Sequence, residues 1–304
     1  MLHYALRRAL MAVLVLVFVS LVSFLLLFAA GDPAIALAGQ GGTAADAERT
    51  RQTLGMDRPL HVQYLDWAGR ALVGDFGSSL RFDQPVLGML LRSFRITFEI
   101  GVWAMSIAAV VAVVLGTLAA RHPQGWLDRA VLLLSVVAQS MPTFCLALLG
   151  ILVLSVHHSV LPSSGSGSWR HLVMPIGVLA FFALPSVLKL TRAGMVDALS
   201  RDYVRTARAM GIGELRVLFR YALRNALLPV VAVAAAQFGF LLSGSIVVES
   251  VFAIYGAGRL ALDAVLGGDV PLLQALVLSF SLIYVVLTLL ADLAVAWLDP
   301  TMHG

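Results

Sequence analysis

Six long apolar runs constrain this chain more than anything else in it. They cover residues 9–30, 96–120, 130–156, 172–190, 226–248 and 272–298. About 20 apolar residues cross a bilayer as a helix. In hydrocarbon every backbone polar group has to be satisfied internally, which a helix does by itself. The sequence therefore predicts an all-α, polytopic membrane protein with six transmembrane helices. Composition agrees: 60% of the 304 residues are hydrophobic and only 12% charged, against about 25% charged in soluble domains.

The first run follows a short basic flank with Arg7 and Arg8. A cleaved signal peptide is the competing reading, but the run is longer than a signal core, so a retained span is expected. Arginine placement sets the orientation. With the N-terminus inside, the inner segments hold Arg7, Arg8, Arg121, Arg129, Lys189, Arg192 and the arginines from Arg201 to Arg224. The short outer segments hold Arg170 and Arg259. Long loops translocate largely regardless of charge, so the arginines of 31–95 do not count. Both termini are expected in the cytoplasm. The net charge of +4 is thus a topology signal and no sign of nucleic acid.

Residues 31–95 are read as an extracytoplasmic segment. Asp32-Pro33 breaks the first helix, 39–43 is a loop, and 44–54 and 59–73 read as short amphipathic helices. Gly74-Asp75-Phe76-Gly77 is a turn. Tyr64, Trp67 and Trp103 suit the lipid–water boundary. Met141-Pro142 should kink the third span, and Pro175 and Pro185 lie inside the fourth.

One polar stretch, 202–229, interrupts the apolar second half. Asp202 is a candidate N-cap for a short helix over 203–210. Gly211 or Gly213 supplies the left-handed residue that ends it. Glu214 restarts a helix, which Pro229 should interrupt. Arg201, Arg205 and Arg208 share one side at i, i+4 and i+7. Tyr203, Ala207 and Met210 share another, and Arg216, Arg220 and Arg224 form a second row. A short helix with an apolar face and a basic face suits a partner's groove. A positively charged loop that only fixes orientation is the bland alternative.

Glu99, Glu249 and Asp292 lie in or beside spans, where ionisable groups are costly and so are candidates for pathway or gating roles. Each also has a simple reading. Glu99 can pair with Arg95, Glu249 can be solvated at the end of the fifth span, and Asp292 lies near the end of the sixth. No histidine pair sits at ligand spacing with a carboxylate, so no metal site and no cofactor are expected. Cys145 reads as a small buried residue. Ser163–Ser168 reads as a flexible Ser/Gly loop and not as a nucleophile, because it lacks a strand-to-helix elbow and a placed base. A phosphate-binding loop ends in Gly-Lys-Ser/Thr. The one lysine, Lys189, follows Leu188, so ATP would have to be used by another polypeptide.

The ordered motifs resemble the permease subunits of binding-protein-dependent ABC importers, in the dipeptide/oligopeptide/nickel family, over essentially the whole chain. Tyr203-Val204-Arg205-Thr206-Ala207-Arg208-Ala209-Met210-Gly211 followed by Leu223-Arg224-Asn225-Ala226-Leu227-Leu228-Pro229 is similar to the family's cytoplasmic signature loop. Other matches are Gly31-Asp32-Pro33, Leu54-Gly55-Met56-Asp57-Arg58-Pro59, His171-Leu172-Val173-Met174-Pro175, Leu190-Thr191-Arg192, Val248-Glu249-Ser250-Val251-Phe252 and Leu298-Asp299-Pro300. Met210 stands where lysine is usual, Tyr221 where histidine is common, and Tyr255 where proline is usual.

The resemblance implies a coupling helix that sits in a cleft of an ATPase subunit. Asp202, Tyr203, Arg205, Thr206, Ala207, Arg208, Gly211, Arg224, Asn225 and Pro229 would carry that contact. It implies a second homologous permease, two ATP-binding subunits and an extracytoplasmic solute-binding protein as partners, with lipid around the spans and no nucleic acid. It implies short peptides as cargo, moved by alternating access across the cytoplasmic membrane, with nickel or a metal chelate as the alternative. The expected organisation is a first helix over 1–30, the outer segment 31–95, and a five-helix core over 96–304 that includes the coupling loop 191–225. The chain itself would not be an enzyme. A stand-alone carrier or an intramembrane enzyme would need spaced carboxylates, a nucleophile–base pair or a metal cluster at span depth, and the sequence offers none.

Overall fold

A computed structural model of the chain describes residues 2–29, 43–53 and 57–298. Among the described residues there are helices and no strand, with one isolated bridge between Ser78 and Pro85. The expected break at Asp32-Pro33, most of the 39–43 loop, the Leu54-Gly55-Met56 part of the 54–59 motif, and Asp299-Pro300 lie outside the described residues.

Helix α1 spans Leu2–Ala29. Two short helices follow, α2 at Ala44–Thr53 and α3 at Leu60–Leu72, close to the expected pair. The Gly74–Gly77 turn forms as expected: both glycines have positive φ, and Gly77 N donates to the Asp75 carboxylate at 3.0 Å. Helix α4, Val86–Ala120, is the longest among the described residues. It begins well before the apolar run at 96, because Val86, Leu90 and Phe94 are buried against the last helices and extend the helix outward.

The third crossing differs most from expectation. It is a pair of helices, α5 (Trp126–Ser140) and α6 (Thr143–Gly150), the latter extended by a π-helical turn over Ile151–His157. The pair is bent by 98°. Met141-Pro142 was expected to kink this span, and it breaks it. A residue before proline is pushed out of the helical region, and Met141 is extended, with φ −88° and ψ 118°. The described residues thus hold five single helices long and apolar enough to span, or six spans when the bent pair is counted as one.

Helix α7, Trp169–Ser200, runs unbroken through Pro175 and Pro185, both buried. Helix α8 is Asp202–Ala209, and α9 is the single turn Glu214–Arg216. A π-helical turn over Val217–Ala222 leads into α10, Leu223–Gly244. Pro229 lies inside α10 and does not interrupt it, since prolines in membrane helices are tolerated where neighbours re-satisfy the freed carbonyl. Helices α11 (Ile246–Val251), α12 (Ala257–Gly267) and α13 (Val270–Leu298) complete the chain.

The core sits where α4 and α7 pack along each other. Small residues allow this close approach in lipid. A methyl group on Gly116 would stand 3.1 Å from the Thr191 side chain and from Arg192 N. Gly239 of α10 is tighter still, since a Cβ there would meet the Tyr284 ring at 2.6 Å. Helix α1 packs into the bundle beside α13. Arg8 pairs with Asp292 at 2.8 Å, and Gln274 Nε2 donates to Ser23 O at 3.5 Å. Tyr64 and Trp67 pack on Phe24 of α1, and Ser20 Oγ lies 2.7 Å from the Tyr64 hydroxyl. Trp103 is exposed.

Candidate coupling site and its supports

The coupling candidate is α8, which follows α7 after one residue, Arg201. Its start differs from the expected cap. Asp202 is the first helical residue, and Arg201 stands at the cap position with extended backbone and no side-chain cap bond. The Asp202 carboxylate still meets the positive end of the helix dipole, and Arg205 Nη1 lies 3.5 Å from it. The helix end matches expectation. Gly211 has φ +75°, its N–H donates to Arg208 O, and Ile212 N–H donates to Ala207 O. These two bonds make a Schellman closure, which needs a left-handed residue at this position.

Val204 and Ala207 are buried against Val217, beside Leu199 and Ile212, and fasten α8 to the bundle. The expected apolar face of Tyr203, Ala207 and Met210 is therefore split. Ala207 points inward, whereas Tyr203 and Met210 are exposed. Arg205, Thr206 and Arg208 are also exposed. Across the Gly211 turn Arg208 Nη2 meets Glu214 Oε1 at 2.7 Å, with a second bond from Nε at 3.2 Å. Arg216, Arg220, Arg224, Asn225 and Pro229 are exposed along the next helix.

The Arg208 guanidinium beside Glu214 holds its carboxyl below the ordinary value of 4.5. A depressed carboxyl adds stability that is present above the ordinary value and is lost as pH falls through the lowered one. Both side chains are about a third or more exposed, so screening keeps the pair below about 1 kcal/mol. Glu214→Gln should therefore loosen the 208–216 turn only slightly at pH 7. It should also abolish the acid-induced loosening of the parent, read by limited proteolysis at pH 7 and pH 4. Equal acid sensitivity in parent and variant would place the titrating group elsewhere.

Beside this loop lies a pair missing from the sequence-based candidates. Arg192 of α7 grips Asp128 of α5 with two hydrogen bonds, one from Nε to Oδ1 and one from Nη2 to Oδ2 at 2.7 Å. Asp128 is 1% exposed and also accepts from Gln124 N at 2.8 Å. One turn earlier on α7, Lys189 Nζ donates to Gln139 Oε1 at 2.7 Å. Asp128 is buried and Arg192 about a quarter exposed, so removing one partner should cost less than the roughly 3–5 kcal/mol of a fully buried pair.

The three acidic span candidates lie apart. Glu99 is exposed on α4, and among the described residues it makes no ion pair with Arg95 or any other cation. Asp292 is held by Arg8. Glu249, whose simple reading was a solvated group at the end of the fifth span, is 1% exposed. Its carboxylate accepts from Thr97 Oγ1 at 2.7 Å, Ser245 Oγ at 2.8 Å and Arg259 N at 2.9 Å. Thr97 Oγ1 in turn accepts from Ala257 N at 2.8 Å. Glu249 thus ties α11 to α4 and α12.

At the same end, Ser79 Oγ donates to buried Asp269, which also accepts from Leu272 N at 3.3 Å and caps α13. The Ser/Gly loop is tied down as well. Gly165 N donates to Phe252 O at 2.8 Å, and Ser168 with His171 forms a capping box on α7. That Ser–His contact is a helix cap.

The layout of spans around one short loop helix can be set against known proteins. The profile of the binding-protein-dependent transport system inner membrane component matches residues 112–304, and its N-terminal companion matches residues 1–105. The chain belongs to this family. It is a permease subunit of a binding-protein-dependent ABC importer. Its relatives include the glutathione transport system permease protein GsiC of Escherichia coli K12, 39% identical over 304 residues, covering all of this chain and 99% of that one. GsiC of Salmonella typhi and of Pectobacterium atrosepticum match to the same extent. Among solved structures, an inward-facing MetNI methionine ABC transporter shares the fold. Its TM-score is 0.59 at 20% identity, over 69% of this chain and 96% of that one.

Proposed function

We propose that this importer permease moves short peptides, glutathione among them, across the cytoplasmic membrane by alternating access, driven by ATP hydrolysed on two separate subunits. The observation that carries the proposal is α8. It is anchored by Val204 and Ala207, closed by Gly211 and braced by Arg208–Glu214, yet it turns Tyr203, Arg205 and Met210 outward with no covering residue among those described. A rigidly mounted short helix with an exposed apolar and basic side fits a groove on a partner. Arg224, Asn225 and Pro229 are exposed as well, on α10. The peptide reading rests on the full-length likeness to GsiC.

A second, homologous permease would complete the pathway, and a solute-binding protein would deliver cargo to the end that carries Ser79, Gly165 and Glu249. That end would be extracytoplasmic and the arginine-rich end cytoplasmic, with both termini inside. The segment 1–30 would be the first span, 31–95 the outer segment, and 96–304 the core with its loop at 191–225. Of the acidic candidates only Glu99 keeps a pathway role, because Glu249 and Asp292 are held by neighbours.

The test is reconstitution of the permease with its co-purifying permease, ATPase chains and binding protein in liposomes. ATP-dependent uptake of labelled glutathione, competed by other short peptides, is expected. Uptake of nickel without peptide would replace the cargo, and uptake that survives without ATPase chains would overturn the ATP-driven reading.

A further inference from the structure

The contact of α5 with α7 joins two parts of the molecule that the coupling loop alone does not connect. Arg192 stands eight residues before Ser200, the last residue of α7. At 1.5 Å per residue that is about 12 Å of uninterrupted helix, after which one residue leads into α8. Any displacement of α8 therefore reaches Arg192 through a stiff rod. Arg192 N and Thr191 are pressed on Gly116 of α4, so Arg192 is fixed from behind.

Its guanidinium holds the start of α5 through Asp128, and Lys189 holds the far end of α5 through Gln139. Two side chains on one turn of α7 thus grip opposite ends of one helix. The grip is registered by packing, since Asp128, Val131, Ser135 and Ala138 all lie buried on one stripe of α5. Beyond the 98° bend, α6 and its π-helical turn run on to the Ser/Gly loop. That loop bonds through Gly165 to Phe252, three residues from Glu249. One chain of contacts therefore runs from α8 to the opposite face of the bundle, and Asp128–Arg192 is its buried ionic joint.

We propose that Asp128 and Arg192 are positioning residues for transport, and that their pair carries the motion of the docking helix into the bent pair α5–α6. This rests on the importer reading above and adds a second element to it. Geometry favours a transmitting role over simple anchoring. A bidentate guanidinium–carboxylate pair fixes angle as well as distance, and Asp128 at the same time orders the turn before α5 through Gln124 N.

The experiment uses the full complex in liposomes and reads ATP hydrolysed per labelled glutathione taken up. Asp128→Asn alone leaves a half-buried guanidinium unpaired and can fail to fold. The decisive variant is therefore the double change Asp128→Asn with Arg192→Gln, which removes both charges together and keeps an amide contact and an acceptor for Gln124 N. The expected result is an assembled complex that hydrolyses ATP at a rate near the parent's while uptake falls about tenfold or more, so that ATP per substrate rises by the same factor. Asp128→Glu with Arg192→Lys, which restores a charged pair without the bidentate geometry, should recover only part of the ratio.

An unchanged ratio in the double variant, with uptake and hydrolysis falling together in step with complex abundance, overturns the joint while leaving the importer reading intact. A parent complex whose uptake does not depend on ATP overturns the importer reading itself, and the joint with it.

Discussion

Gly211→Val is expected to cut uptake about tenfold or more while the protein stays folded in the membrane. Gly211 has φ +75°, and no atom lies within 4 Å of the place a Cβ would take. The effect is therefore one of backbone and not of collision. A left-handed conformation costs an ordinary L-residue about 1–2 kcal/mol, and a β-branched one more. About 1.4 kcal/mol is a tenfold change in population, so the Schellman-closed turn becomes a minor state, and apparent coupling falls with the fraction of competent turns.

Two further substitutions separate the causes. Gly211→Asn should keep uptake within about twofold, because asparagine visits this region readily. Gly211→Asp tolerates the same backbone but adds a carboxylate at the exposed C-terminal end of α8, next to Met210, and it is expected to block uptake. Asn spared with Val and Asp impaired assigns strain and charge separately. If all three transport normally, α8 is not the coupling element.

Periodicity and apolar length made the spans legible, and glycine made the end of α8 legible, because both are properties of a few neighbouring residues. The features that escaped depend on partners far along the chain. Asp128 was within reach. With Val131, Ser135 and Ala138 it falls at i, i+3, i+7 and i+10, one stripe of an amphipathic helix. A carboxylate in a stripe that faces the bundle requires a cation. Counted only as an inner-segment charge, Arg192 did not look like that cation.

The face of α8 was misassigned for a similar reason. Val204 and Ala207 were indistinguishable from Tyr203 and Met210 until Val217 and Ile212 covered one pair. Pro229 was read by soluble-protein rules, but a bundle in lipid lets a helix continue through it. Glu249 was unreadable in principle, since its donor Thr97 lies 152 positions away.

That buried carboxylate supports the second large effect. Glu249→Ala should lower stability in detergent by about 2–4 kcal/mol, seen as a lower thermal midpoint, because a buried donor left unpaired costs about 1–3 kcal/mol and a cavity adds to it. The three donors are not equal. Thr97 Oγ1 also reaches Ser93 O at 3.2 Å, and Ser245 Oγ reaches Leu242 O at 3.0 Å. Both hydroxyls have a second acceptor, whereas Arg259 N–H has no other acceptor among the described residues. Glu249→Gln should accordingly be mild, below about 1 kcal/mol. Its carbonyl can serve Arg259 N–H while its amide donates to hydroxyls that turn away toward their second acceptors.

Gly256 supplies the sharper test. A Cβ there would overlap the Glu249 carboxylate, so Gly256→Ala should destabilise at least as much as Glu249→Ala. In the double variant the new methyl enters space the carboxylate has left. The two losses should then fall short of additive by about 0.5–3 kcal/mol, the range for residues in contact. Strict additivity would mean that Gly256 is required for some reason other than making room for Glu249.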